Sequence, residues 1–403
     1  MSLVAPPFLV SWNVTKRCNL SCGHCYLDAC ELSGADAVPT DEALSYIGQI
    51  GNLSPGCMLV LTGGEPLLRE DIFLLAGRAS ELGLSPVIGT NGTLLTGETI
   101  KKLLGSGVQG AGVSLDSLTP ALHDRIRGVE GAWARTLKGI EALSGSSLPF
   151  QLQFTLAKEN VNEIPVFVEF AEKTGARAVN FFFLVCTGRG QKTTDLTPAE
   201  YESALGSIAA KEKEYRGRIM VRARCAPHLV RAAGESDPES ALLKGGTSGC
   251  IAGRGYLRIS PEGFVTPCPY IPVSEGSPSL REKPLLEIWE NDAAFKTLRS
   301  PVYKGRCAEC EYSDSCGGCR ARALATRGDL MAEDPWCMHE PKGVKKETSA
   351  PPAWSPDAEE RLKNVPAFIR PTIKKGLERY ASHKGIKLIT PELMKELREK
   401  AGR

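Results

Sequence analysis

The chain has 403 residues, of which 42% are apolar and 24% charged, with a formal net charge of +2. These are the proportions of an ordinary globular protein of two or three domains. No run approaches 18 apolar residues, so no membrane-spanning helix is expected. The opening "MSLVAPPFLVSW" lacks a basic segment ahead of an apolar one, so no secretory leader is read and a cytoplasmic location is expected. Charge is unevenly spread: residues 345–403 hold 14 Lys+Arg against 8 Asp+Glu, a surplus of +6 that leaves −4 for the rest. A basic tail suits nucleic acid or a substrate bearing carboxylates, and the main body shows no nucleic-acid stripe. Fourteen cysteines are many, yet the chain is too long to read as a small disulfide scaffold. Ten of them fall in two groups with metal-type spacings, which favours metal or iron–sulfur ligation.

In chain order, apolar runs at 7–14, 57–64, 84–92, 110–117, 150–157 and 178–188 read as six strands. Helical patterns lie between them, among them 40–50, opened by Thr40–Asp41–Glu42, and 162–175. Short apolar strands separated by helices predict a parallel sheet, here a curved (β/α)6 partial barrel of α/β class, with an open doubly wound sheet as the alternative. Cys18, Gly64–Glu65, Asn91, Ser114 and Asp116 all fall at or just beyond a strand's C-terminal end. In parallel α/β folds those ends form one mouth, so residues 100 positions apart converge there. Residues 216–249 read as a mixed connecting segment. "GYLRISPEGFVTPC" then reads as a hairpin turning at Pro261–Glu262–Gly263. A dense cysteine block occupies 307–319, "KKETSAPPAWSPDAE" (345–359) reads as a linker, and two or three helices follow, the last opened by Thr390–Pro391–Glu392.

Cys18, Cys22 and Cys25 form a CxxxCxxC loop. Three thiolates can hold three corners of an iron–sulfur cube and leave the fourth iron open. Zinc completed by a distant ligand or by His24 is the competing reading. Taken with "TGGEP" (62–66), "TNG" (90–92), "VSLDS" (113–117) and Arg127 in "HDRIR", the loop resembles the radical S-adenosylmethionine (SAM) enzymes over roughly residues 8–215. His24 stands where that family usually has an aromatic residue. The resemblance implies that Gly63, Gly64 and Glu65 take the amino group of SAM. Asn91, Ser114 and Asp116 would hold its ribose and carboxylate, Arg127 its carboxylate, and His24 would lie alongside. It also implies that the reduced cluster cleaves SAM to a 5′-deoxyadenosyl radical that takes hydrogen from a substrate, the protein aiming it and excluding water.

The second group runs Cys250-x12-Gly263-x4-Cys268, then Cys307-x2-Cys310-x5-Cys316-x2-Cys319, then Cys337. It resembles the SPASM extension of radical SAM enzymes, except that the last gap of the block is two residues rather than three. The resemblance implies two auxiliary 4Fe–4S clusters, three in all with the first. Cys307, Cys310, Cys316 and Cys337 would hold the distal one, and Cys250, Cys268 and Cys319 the proximal one. The proximal site's fourth ligand is Cys225, in "RCAPHLVR", or the site stays open to substrate. Cys30 and Cys57 read as plain thiols, Cys186 as structural near the mouth, and His228 as a satisfied surface residue or a group reaching a substrate. Domains are expected at 1–215 (barrel), 216–249 (connection), 250–344 (SPASM) and 345–403 (linker and small basic helical domain).

The tail from 365 to 402 resembles the small C-terminal domain of the B subunit of light-independent protochlorophyllide reductase, which implies a tetrapyrrole-binding role. "FLVSWNVTKRCNLSCGHCYLDA" and "LVCTGRG" resemble the radical SAM proteins of siroheme-dependent heme and dioxo-heme synthesis. Together these imply an enzyme that deacetylates or decarboxylates side chains of a siroheme-derived tetrapyrrole, with an external donor such as ferredoxin or flavodoxin, and no nucleic-acid or membrane partner. A peptide-modifying maturase and a non-catalytic electron-transfer scaffold are the alternatives. The first usually carries an N-terminal winged-helix domain not seen ahead of residue 8, and the second leaves the SAM-type residues unexplained.

Overall fold

The computed structural model describes residues 4–29, 32, 36–192, 196–240, 243, 249–342, 352–365, 370–383 and 386–400. Cys30 and most of the expected linker lie outside these residues. Six strands appear where the apolar runs place them: β1 (Leu9–Asn13), β2 (Met58–Thr62), β3 (Ser85–Thr90), β4 (Gly110–Ser114), β5 (Phe150–Leu156) and β6 (Ala178–Phe183). Each pairs in parallel with the next, and helices α1 (Thr40–Leu53), α2 (Ile72–Glu81), α3 (Gly97–Gly105), α4 (Pro120–Arg127), α5 (Ala132–Ser144) and α6 (Ile164–Lys173) lie between them in sequence. This is the expected partial (β/α)6 barrel.

The two faces of the sheet differ sharply. In β5 Phe150, Leu152, Phe154 and Leu156 are buried, while Gln151, Gln153 and Thr155 between them are only partly so. Successive strand side chains point to opposite faces, and Phe154 meets Phe167 of α6 edge-on at 4.5 Å, so the apolar face is the outer, helix-covered one. Burying an aromatic of this size contributes roughly 1.5–3 kcal/mol. α1 supplies its share of that layer through Ala43, Tyr46, Ile47 and Ile50, the one-face spacing of an amphipathic helix. The other face carries Ser11, Asn13, Gln151, Gln153 and Asn180 among apolar residues such as Val60 and Phe182.

The sheet continues beyond the six strands at both ends. Within 216–249, β7 (Met220–Arg224) pairs in parallel with β6 and is flanked by α7 (Pro198–Tyr215) and α8 (Leu229–Ser236). The hairpin forms as expected, from β8 (Tyr256–Ile259) and β9 (Val265–Thr266), with Gly263 at φ +93° in its turn. β8 also pairs in parallel with β1, giving the order β7-β6-β5-β4-β3-β2-β1-β8-β9. The cysteine-rich region is therefore hydrogen-bonded into the barrel sheet. The tail folds on a core of Ala358, Leu377, Ala381 and Ile389 beneath helices Pro356–Lys363, Arg370–His383 and Pro391–Lys400. A two-residue parallel pair, Ala353–Trp354 with Leu388–Ile389, closes it.

Candidate active site and metal centres

The CxxxCxxC loop leaves the end of β1 and is held from three directions. The Ser21 and Gly23 amides donate to the carbonyls of Arg127 and Ile126 at 3.1 and 3.0 Å, which ties the loop to the end of α4. The Gly64 and Glu65 amides donate to Thr15 and Arg17 at 2.9 and 2.8 Å. A Cβ at Gly64 would fall 2.2 Å from the Arg17 carbonyl, so the paired glycines of "TGGEP" permit this close approach. From beyond β6, the Arg189 guanidinium donates to the Cys22 and Ala29 carbonyls at 2.9 and 2.8 Å, and its amide to Cys25 at 3.0 Å. Arg189 was not singled out from the sequence. Its only signal there was the "GRG" whose Gly188, at φ +58°, lies against the Cys25 and Tyr26 carbonyls.

Asn91, Asp116 and Arg127 reach this loop, and Glu65 fixes its neighbouring segment. Asn91 donates to Asn19 Oδ1 at 2.8 Å, bridging the end of β3 to the cysteine loop. Glu65 is fully buried, and its carboxylate accepts from Thr90 Oγ1, the Asn91 amide and the Leu67 amide at 2.8–3.1 Å. Burial lifts its carboxyl to about 7, against those donors. These three donors engage the Glu65 carboxylate from within the protein, so its side chain helps to fix the loop. Asp116 pairs with Arg127 at 2.7 Å and accepts from the Thr155 amide at 2.8 Å. Burial works to raise Asp116, but the Arg127 charge prevails and holds it below the usual carboxylate range. Arg127 also reaches Cys22 Sγ at 3.8 Å, and its buried Nε has no hydrogen-bond partner among the described residues. His24 lies 3.7 Å from Asp116, and burial depresses its pKa to about 4. Ser114 ends β4, half-buried. A cavity of about 310 Å³ opens beside His24, lined also by Gly23, Arg125, Thr155 and Lys158.

Two further groups of cysteines assemble in the second half of the chain. Cys225, Cys250 and Cys268 pack against one buried cluster with Cys319. Each of Cys225 and Cys268 is pushed up first by burial and then by the charges of the other members. Cys225 directly follows β7 at φ +58°, a left-handed conformation rare outside glycine, and so turns the chain where the strand stops. Cys307, Cys310, Cys316 and Cys337 form the other group, in which Cys316 feels both Cys307 and Cys337. The shortened gap between Cys316 and Cys319 is spanned by Gly317 and Gly318, at φ +65° and +66°, which send neighbouring cysteines to different groups.

A buried network joins the two groups, with the Cys337 amide donating to the Asp334 carbonyl at 3.1 Å. Asp334 accepts from the Cys319 amide at 2.7 Å and pairs with Arg322 at 3.0 Å, and Arg322 donates to the Cys225 carbonyl at 3.1 Å. His228 belongs to this network. It is 1% exposed, hydrogen-bonded to Tyr201 at 2.8 Å and 3.6 Å from Asp334. The surface placement expected of it is therefore corrected: α8 turns it inward, onto the Tyr201 side of α7. Cys57 is a buried thiol and Cys186 is half-buried.

The donor sets fit iron–sulfur clusters. Among the described residues, no three of these cysteine sulfurs lie within 4.8 Å of one another. All-thiolate sets of three and four are the donor chemistry of iron–sulfur clusters. The described trio that does meet that limit is Cys310, Glu311 and His339, which is a different chemistry. Burial raises Cys18 to about 12 and Cys319 and Cys337 to about 11. Neutral buried thiols would become thiolates only with a metal group to bind them.

Comparison with known proteins agrees with this arrangement. Residues 12–171 match the radical SAM superfamily, 250–319 an iron–sulfur cluster-binding domain, and 354–398 the proto-chlorophyllide reductase 57 kD subunit family. An AdoMet-dependent heme synthase of Methanosarcina barkeri is 40% identical over 350 residues, covering 85% of this chain and 99% of that protein. An AdoMet-dependent heme synthase of Nitratidesulfovibrio vulgaris is 35% identical, covering 83% and 93%. Among solved structures, Streptococcus suis SuiB bound to S-adenosylmethionine superposes with a TM-score of 0.68 at 21% identity, over 83% of this chain and 78% of that one, and so shares the fold.

Proposed function

This chain belongs to the AdoMet-dependent heme synthase family of radical SAM enzymes, and from that premise we propose that it removes or shortens carboxylate side chains of a siroheme-derived iron tetrapyrrole in heme biosynthesis. The observation that carries the reading is the 40% identity with a heme synthase across 99% of that protein. The match of residues 354–398 to a protochlorophyllide reductase family supports a tetrapyrrole-covering role for the tail.

The cofactor pair of SAM and a 4Fe–4S cluster supplies hydrogen-atom abstraction when bound. Cys18, Cys22 and Cys25 would hold that cluster, and three protein ligands leave one iron for SAM. The backbone of Gly63–Glu65 would receive the amino group, with Glu65 fixing that backbone from behind. The unspent Nε of Arg127 suits a carboxylate. Asn91, Ser114, Asp116 and His24 would border the remainder of the cofactor.

Two auxiliary clusters complete the proposed set: Cys225, Cys250, Cys268 and Cys319 around the proximal one, and Cys307, Cys310, Cys316 and Cys337 around the distal one. A small external donor of the ferredoxin or flavodoxin class would supply electrons. A peptide-modifying role is the rival, and the same assay separates the two. Anaerobically reconstituted protein is incubated with SAM, dithionite and either iron coproporphyrin or didecarboxysiroheme. The expected result is 5′-deoxyadenosine together with a tetrapyrrole product lighter by one or more carboxylate-derived groups. Unchanged tetrapyrrole with 5′-deoxyadenosine formed only on a peptide substrate would overturn the reading.

A further inference from the structure

β7 was missed from the sequence because it reads Met220-Val221-Arg222-Ala223-Arg224, with arginine at alternate positions. Val221 and Ala223 face the apolar outer layer, so Arg222 and Arg224 face inward. The register places Arg222 beside Asn180 and Arg224 beside Phe182 on that inner face. A polar ladder crosses it: Asn180 donates to Gln151 Oε1 at 2.8 Å, and Arg224 Nε donates to Asn180 Oδ1 at 3.0 Å. On β4, the neighbour of β5 in the sheet, a Cβ at Gly112 would meet Gln153 Nε2 at 2.4 Å, so β4 leaves room for the glutamine side chains of β5.

What the ladder lacks among the described residues is a carboxylate partner. The protein-side contacts of Arg222 and Arg224 are Met220 Sδ at 2.8 Å and Asn180, with no carboxylate within 4.0 Å among the described residues. Both are half-buried. Two adjacent guanidinium groups with no carboxylate partner are costly to hold in a partly desolvated site, and a ligand bearing carboxylates would offset that cost. Their positions two residues apart on one strand set their stems about 6.6 Å from each other, a spacing that suits two carboxylates on flexible arms. Guanidinium forks bind carboxylates bidentately.

We propose that Arg222 and Arg224 bind carboxylate side chains of the substrate, holding the tetrapyrrole across the inner face of β6 and β7 beside Cys225. This rests on the tetrapyrrole reading above. It identifies which residues of this chain recognise the charge of the ring's side chains.

The test is a visible-band titration of the reconstituted full-length protein with iron coproporphyrin. R222Q and R224Q are each expected to weaken binding on the order of 10-fold and the double variant on the order of 100-fold, with R222K recovering only the part of the loss that a point charge supplies. The tetramethyl ester of the same iron porphyrin, which has no carboxylates, should bind the wild type about as weakly as the double variant binds the acid. Iron content per chain checks that each variant has folded and kept its clusters. Variants that bind the acid as tightly as the wild type would overturn the arginine assignment and leave the tetrapyrrole reading standing. A wild type with no affinity for iron coproporphyrin would overturn both.

Discussion

The N-terminal cysteine loop and the auxiliary cysteine groups solve the same ligation problem differently. The first takes three cysteines from eight consecutive residues and fixes the loop from outside, by Arg127, Arg189 and the backbone of Gly64–Glu65. The auxiliary groups gather four cysteines each from distant parts of the chain, the proximal one from the end of β7, the two flanks of the β8–β9 hairpin and the 307–319 block. A site meant to stay open at one corner needs its loop held rigid by groups that are not ligands. A closed site, as proposed for the auxiliary groups, would be held by its ligands themselves, and the proximal group draws together residues beside β7 and the β8–β9 hairpin. The contrast teaches that cysteine count and loop support go together.

The sharpest way to break that contrast is to remove one cysteine from each kind of site. Cys22→Ala should abolish 5′-deoxyadenosine formation and lower iron by about four atoms per chain. Cys225→Ser should also lose about four atoms if the proximal site has four protein ligands; full iron retention would make that site open, like the first. Next in size is Arg127→Ala. It leaves Asp116 buried without its cation and should cost about 3–5 kcal/mol, read as a fall in the denaturant midpoint. Comparable stability at Arg127→Ala would mean that the loop needs no such support.

A smaller effect concerns pH. Burial is the leading cause that depresses His123 and His228 to about 4. A base whose folded pKa lies below its unfolded value of about 6.5 loses stability as pH falls through that window. Thermal stability should therefore hold above pH 6.5 and decline toward pH 4, by roughly 3 kcal/mol for each histidine. His228→Gln should flatten its share of that slope; an unchanged slope would show that His228 is not part of it. The smallest is Gly318→Ala. It places a Cβ 2.8 Å from that of Asp334 at φ +66°, and should cost roughly 1–3 kcal/mol with reduced iron in both auxiliary groups but not in the first.

The six barrel strands, the hairpin and the convergence of Cys18, Glu65, Asn91 and Asp116 were legible because apolar runs and strand-end polar residues carry their position in one dimension. β7 was not, since its inner face replaces apolar residues with Arg222 and Arg224 and so hides the strand pattern. The pairing of β8 with β1 was equally hidden, because a hairpin's own signal says nothing about a third strand. Glu65 shows a subtler limit. The motif marked it, but only the hydrogen bonds from Thr90, Asn91 and Leu67 show that its carboxylate faces into the protein. Arg189, Arg322 and Asp334 act through contacts with residues far away in sequence, and no local pattern marks them.

The division into one open and two closed sites is tested most directly by electron paramagnetic resonance of the dithionite-reduced protein with and without SAM. The account predicts that SAM shifts one cluster signal alone, and that this signal is the one missing from Cys22→Ala. A SAM-dependent shift that survives in Cys22→Ala, or one seen in the signals lost from Cys225→Ser, would contradict it.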